Sequence, residues 1–476
     1  MTRLNLEDVR LAVKRAGINA NIENFGEKNI NKFGKAVTSL IETDKGITLF
    51  SKCYDSSLYP DVKGYEPLEK QLSDELQVEN LFDYERKVLT TLNSIDVEIA
   101  PILFHVVENQ ERLIMEYVEE HSLQWKFTEI DKKVYQLESE IKGLSLRNIS
   151  SQKITDKKQE IQNLKKQKEY WIRKGVDNLS KFRKLTNDNL ESFRRMGIKE
   201  MTRNEDREIF EDYLSRILLF SNPYLKNKGE VIKFLESKEI NLSGYSSRFA
   251  EYFSKEIRQG KKISVIHGDM GPHHIRLNGK IIDFDEVRLG SHYYDIVRLL
   301  KNPFVNQEER KTPSYLAQYM IRELINEGSV KEEEIEKLTV EEIVERVGKE
   351  KFASSLKRFY DINLKEDIHI ASVLRKYSPK AIRYFTGNHP IYNSKSSLIN
   401  WRLEEINNVL QILLSKDGRE FLLKDDYSLG LIESIRSFFE TTGLTQTGSE
   451  DVFSLFNYNN SSNGDKKLLN GNRSHA

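Results

Sequence analysis

The chain has 476 residues, 38% of them hydrophobic, and its Lys plus Arg and Asp plus Glu both total 74, so it is long enough for two or three domains or one large two-lobed enzyme with no net charge. That balance argues against a dedicated nucleic-acid binder, which shows a basic excess or stripe, and leaves only a local basic groove open. The single cysteine, Cys53, excludes an intrachain disulfide framework and any CxxC metal site. With no continuous apolar leader segment and no run of membrane-spanning length, the chain reads as a soluble cytoplasmic protein.

In chain order, Leu6, Val9, Leu11 and Val13 predict a short amphipathic helix over 6–16. From about Ile22 the period shortens to two. Residues 36–41 and 47–54 read as strands joined at Asp44-Lys45-Gly46, with Lys52 on the second. Gly26 and Gly34, in the stretch before them, are too widely spaced for a G-x-x-x-x-G-K or G-x-G-x-x-G phosphate loop, and no Ser or Thr follows Lys35. Residues 76–93 read as a helix with Val78, Leu81, Tyr84, Val88 and Leu89 on one face, and Glu85 falls on it. Residues 100–107 and 112–118 then form a strand hairpin.

Residues 121–205 differ from the rest. They are charge-rich, with heptad-like spacing at Val134, Leu137, Ile141 and Leu144, then Ile161, Leu164 and Trp171. Gly143, Asn148, Ser150 and Ser151 break the pattern, so it predicts an antiparallel helical hairpin rather than one rod. A solvated face accounts for its mixed charge; a lid or partner-docking element over a cleft is the sharper reading. Helices at 206–222 and 244–258 lead to the stretch 263–300. Beyond it, 294–301, 313–327, 340–358, 366–385, 397–415 and 428–441 are patterned as helices. From Thr442 the Asn-, Ser- and Gly-rich end reads as a disordered tail.

Residues 263–300 carry the chemistry. A short apolar run, Ile263, Val265 and Ile266, delivers His267-Gly268-Asp269. A loop with Gly271 and Pro272 follows, then a strand-like pair, 275–277 and 280–282, joined by Asn278-Gly279, a strong hairpin signal. The second strand ends in Asp283-Phe284-Asp285. Asp269 and Asp283 therefore fall at the ends of neighbouring strands, one placed to take a hydroxyl proton and one to hold a hard cation, which is what phosphoryl transfer requires. Three histidines, His267, His273 and His274, lie close by and with Asp269 and Asp283 invite a second reading, a metal-dependent hydrolase. No HExxH or further histidine cluster completes its ligand set.

His267-Gly268-Asp269, Pro272, Ile282-Asp283-Phe284-Asp285 and Tyr294-Asp295 resemble the catalytic segment of aminoglycoside phosphotransferases, within the wider choline-kinase and protein-kinase-like fold. The resemblance implies an α+β, bilobal protein-kinase-like fold with a small β-rich N-lobe and a large helical C-lobe carrying a helical-hairpin insertion. The divisions expected are 1–120 for the N-lobe and interlobe linker, 121–205 for the insertion and 206–302 for the catalytic core. The helical remainder is 303–441 and the tail 442–476.

The same resemblance makes Asp269, with His267 of the same motif, the catalytic pair, with Asp269 as base. Asp283 becomes the Mg²⁺ ligand and Asp295 the brace of the loop. Lys52 corresponds to the lysine that pairs with ATP phosphates, and an ordinary exposed strand lysine is its bland alternative. Glu85 is then the partner pinning it, or simply a solvated helix position. Met115, Glu116 and Val118, in LIMEYVEEHSL, match the linker whose main chain binds adenine. One departure stands out: the family has Asn five residues after the catalytic Asp, as a second metal ligand, and here that residue is His274. An imidazole suits softer metals, so Mn²⁺ joins Mg²⁺ as a candidate. The expected activity is ATP-dependent phosphorylation of a hydroxylated small molecule. A nucleotide-binding pseudokinase that recruits a protein partner through 121–205 is the alternative, and neither a nucleic-acid partner nor a membrane span is expected.

Overall fold

Strands β1 (Phe25–Asn31), β2 (Val37–Thr43) and β3 (Thr48–Cys53), with β4 (Leu103–Val107) and β5 (Arg112–Glu116), make one five-stranded antiparallel sheet in the order β1-β2-β3-β5-β4. The computed structural model describes residues 4–31, 36–55, 78–119, 121–146, 151–200, 207–259, 263–305, 308–326, 338–374, 377–386 and 389–444. Successive side chains leave a strand on opposite faces. Ile41, Leu49, Val107 and Ile114 therefore pack under helix α1 (Leu6–Arg15), while Leu113 and Met115 turn toward α2 (Leu81–Ile95). The register pairs Lys52 with Leu113 and Phe50 with Met115, which puts Lys52 on the α2 face. On α2, Glu85 lies within the buried stripe that also holds Leu81, Val88, Leu89 and Leu92. The side chains of Asn5 and Asn80 accept the Asp8 and Asp83 N–H groups and start the two helices, each cap contributing about 1 kcal/mol.

The remaining described elements are mostly helical. They are α3 (Leu123–Leu146), α4 (Ser151–Asp188), α5 (Leu190–Arg195), α6 (Arg207–Ser221), α7 (Lys228–Glu236), α8 (Leu242–Gln259), β6 (Ile263–Ile266), β7 (Arg288–Ser291), α9 (Tyr294–Leu300), α10 (Thr312–Asn326), α11 (Val340–Val347), α12 (Lys349–Leu374), α13 (Pro379–Thr386), α14 (Lys395–Leu414), α15 (Lys416–Phe421) and α16 (Asp426–Thr441). Helices α3 and α4 form the expected hairpin, with Leu137 and Ile161 buried in its seam and Lys168–Asp131 (2.8 Å) and Lys157–Glu140 (2.5 Å) ion pairs across it. The second half of α4 has another role. Its Ile172, Val176, Leu179 and Phe182 enter the main core against β6, α9 and α10, so only the distal part of the hairpin stands clear of the lobe.

Several expectations change. Gly143 lies inside α3 rather than between helices, because a single glycine costs a helix only about 1 kcal/mol and flanking packing outweighs it. Residues 147–150 lie outside the described residues. The patterns at 340–358 and 366–385 are redivided: Gly348, at φ +89°, ends α11, and α12 then runs straight through 358–366, where Phe359, Tyr360 and Leu364 are buried and no breaker intervenes. The phosphate-loop candidate begins as strand β1, while Gly34 and Lys35 fall outside the described residues, as does residue 445 onward of the expected tail. Leu444 itself packs on the core. β7, α7 and α15 have no counterpart among the elements expected from the sequence. Among the described residues no helix is long and apolar enough to cross a membrane.

Candidate active site

The site is built between β6 and β7, which pair antiparallel from Ile263↔Ser291 to Ile266↔Arg288. The chain leaves β6 through His267 and Gly268. Gly268 sits at φ +86°, and a Cβ there would collide with the Glu286 carbonyl, so only glycine fits this turn. The backbone N–H groups of His267 (2.7 Å) and Gly268 (3.2 Å) both donate to the buried carboxylate of Asp295, on α9. Burial pushes that carboxyl up to about 6, against the pull of these two bonds. The Asn-Gly hairpin is smaller than expected: a single bridge, Ile275↔Ile281, and the Arg276 N–H donated to the Lys280 carbonyl (2.8 Å) replace two extended strands. Gly279 takes φ +96° in its turn.

His267 departs from the catalytic expectation. It is 0% exposed, its Nε2–H donates to the Ile282 carbonyl (2.9 Å), and burial drives its pKa down to about 4. Enclosed in this way, the imidazole ties the Asp269 loop to the Asp283 loop.

Asp269 and Asp283 are brought together through His274. The His274 Nδ1–H donates to the Asp269 carbonyl (2.6 Å), and Nε2 faces Asp283 Oδ2 at 3.3 Å. Burial opposes charge on this ring, but the hydrogen bond to Asp283 and the charge of Asp269 carry its pKa above the usual value. The side chains of Asp269 and Asp283 are 27% and 34% exposed, so both are partly open to solvent. Asp283 holds φ +68°, a conformation an aspartate adopts at a cost that surrounding contacts must offset.

Those contacts centre on Lys52. Its Nζ lies 2.6 Å from Asp283 Oδ1, 3.0 Å from Asp285 Oδ2 and 3.0 Å from Glu85 Oε2. Burial alone would strip its proton, yet the three carboxylates hold its pKa well above the ordinary lysine value. The Tyr54 hydroxyl also donates to Glu85 (2.6 Å), a carboxyl that burial raises. Asp269 has a different cation. Arg298, one turn beyond Asp295 on α9, pairs with Asp269 Oδ1 and, at 3.1 Å, with Glu366 of α12. The Tyr294 hydroxyl donates to the same Glu366 (3.1 Å).

At the linker, Met115 and Val118 are buried. Glu116 gives its N–H to the Ile102 carbonyl (2.8 Å), and its carboxylate binds Lys280 at 2.5 Å, joining the linker to the Asn-Gly turn. Sequence reasoning assigned no role to Asp285, Arg298, Tyr54 or Glu366. Asp285 stands in plain view in the Asp-Phe-Asp motif, and Arg298 is a charge set among the apolar Ile296, Val297, Leu299 and Leu300 of α9. Glu366 carries no signal, because only packing of α12 brings it near.

No curated protein matches this chain in sequence. Solved structures similar to it include a Plasmodium vivax ethanolamine kinase (11% identity, 83% of each chain covered, TM-score 0.37). An aminoglycoside phosphotransferase of Streptomyces rimosus in complex with ADP and streptomycin is 14% identical over 66% of this chain and 90% of that one, at TM-score 0.33. A spectinomycin phosphotransferase in complex with ADP and spectinomycin is 12% identical over 80% and 93%, at TM-score 0.36. Superpositions this loose assign no chemistry. The family model is more specific, since its match falls on the loops just described: residues 205–332, which hold Asp269, His274, Asp283, Asp295 and Arg298, match the model of the phosphotransferase enzyme family.

Proposed function

We propose that this protein transfers the γ-phosphoryl group of MgATP to a hydroxyl of a small molecule. One observation supports this most: His274 links the main chain of Asp269 to the carboxylate of Asp283, and each of the two carboxylates is paired with a cation, Arg298 or Lys52. Around Lys52, three carboxylates face one ammonium, a formal excess of two negative charges that a divalent ion balances. The carboxylate suits Mg²⁺ while the imidazole beside it favours Mn²⁺, and Asp283 with His274 would hold the ion near the phosphates. The ion supplies charge neutralisation when bound.

The chain's own groups do the rest. Lys52, pinned by Glu85, is placed to pair with the phosphates, while adenine packs against the main chain of Glu116 and Val118 with Met115 behind it. Asp269 orients the acceptor hydroxyl and takes its proton as the bond to the phosphoryl group forms. Arg298 keeps the carboxylate aimed.

A γ-phosphate transfer screen against pooled hydroxylated metabolites tests the reading, with Asp269→Asn as the blank. Turnover above that blank is expected, and Asp269→Asn should lower kcat by about 10²–10⁴-fold with nearly unchanged ATP affinity. Nucleotide binding without consumption would instead favour a pseudokinase. For the metal, His274→Asn should shift the Mg²⁺/Mn²⁺ activity ratio toward Mg²⁺; an unaltered ratio removes His274 from the ligand set.

A further inference from the structure

Beside the Asp283 position lies a second donor set, which shares Asp269 and His274 with the phosphoryl-transfer site and adds His273, a residue that phosphoryl transfer does not use. One ligand atom each from Asp269, His273 and His274 falls within 4.8 Å of the others, where ligands around a single ion are about 3.3 Å apart for metal–nitrogen bonds near 2 Å. His274 has the orientation of a metal-binding histidine, because its Nδ1–H is committed to the Asp269 carbonyl, and Nε2, which faces Asp283 Oδ2 at 3.3 Å, is the atom a metal would take in exchange for its proton. The His273 ring lies against it, with centroids 3.8 Å apart. Gly271 makes room for that ring, since a Cβ there would strike His273 Cε1 and Nδ1. Two imidazoles with one carboxylate match Zn²⁺ and its borderline neighbours and poorly match Mg²⁺, which prefers oxygen.

We infer that Asp269, His273 and His274 form an inhibitory transition-metal site. Zn²⁺ there engages the carboxylate of Asp269 and draws His274 away from Asp283, so one ion disables both acidic positions. The inhibition rests on the phosphotransferase reading; the binding does not.

The test uses the tag-free full chain without nucleotide. Calorimetric titration with ZnCl₂ should show one site, at least tenfold weaker in His273→Gln. Co²⁺ in the same unaltered chain should give the intense visible bands of a low-coordinate, imidazole-bound ion. In each protein the rate with one equivalent of Zn²⁺ is divided by the rate without it, at fixed Mg²⁺. That ratio should fall at least tenfold in the parent chain and much less in His273→Gln. Zn²⁺ affinity indifferent to His273, or a Co²⁺ spectrum like that of the hydrated ion, overturns the site. A zinc-binding, His273-dependent chain with no transfer activity keeps the site and discards the phosphotransferase reading.

Discussion

The two acids of the crevice are held by cations of different reach. Lys52, on the sheet, gathers Glu85 from α2 and both Asp283 and Asp285 from the β6–β7 connection, so it joins these three parts of the molecule. Arg298 gathers Asp269 and Glu366 within the helical lobe alone. The difference implies a division of labour. Asp269 is fixed to the body that contains it, whereas the setting of Asp283 depends on how the two lobes meet.

The largest expected effect comes from breaking the cross-lobe cluster. Lys52→Met leaves two buried carboxylates, Glu85 and Asp285, and the partly exposed Asp283 without their cation, and should cost about 3–5 kcal/mol in urea unfolding, together with most nucleotide affinity. Arg298→Met should cost about half as much, because Asp269 keeps partial solvent contact, and should lower kcat more than it raises KM for nucleotide. Equal stability losses in the two variants would erase the contrast between the two cations.

The smallest effect concerns His267, which sits beneath both clusters. Its folded pKa of about 4 lies below the ordinary 6.5, so the unfolded chain binds the extra proton first. Stability is then fully present above pH 6.5 and is lost as pH falls toward 4, with a slope of at most about 1.4 kcal/mol per pH unit. His267→Gln should flatten that part of the stability profile; an unchanged slope would mean that His267 is not held neutral.

Much of this arrangement was readable from residue order. The period-two runs around Lys52 and the helical stripe around Glu85 placed both on elements that do meet, and the spacing of Asp269 and Asp283 put both at loop mouths. Local pattern was misleading where packing overrules it. The second half of α4 looked like part of a charged hairpin, but Val176, Leu179 and Phe182 are core. The gap at 358–366 looked like a break, but its apolar side chains hold α12 continuous against α14.

By itself the sequence determined what depends on neighbours along the chain: alternation, caps, the glycine that alone tolerates the turn at 268, and the order of acidic motifs. Only the tertiary structure decided which charges meet. Glu366 reaches Arg298, and Asp285 shares Lys52 with Glu85, because distant helices and strands are packed into contact. A buried ion pair needs both partners at a few ångströms in a low-dielectric setting, and that condition is written in no stretch of neighbouring residues.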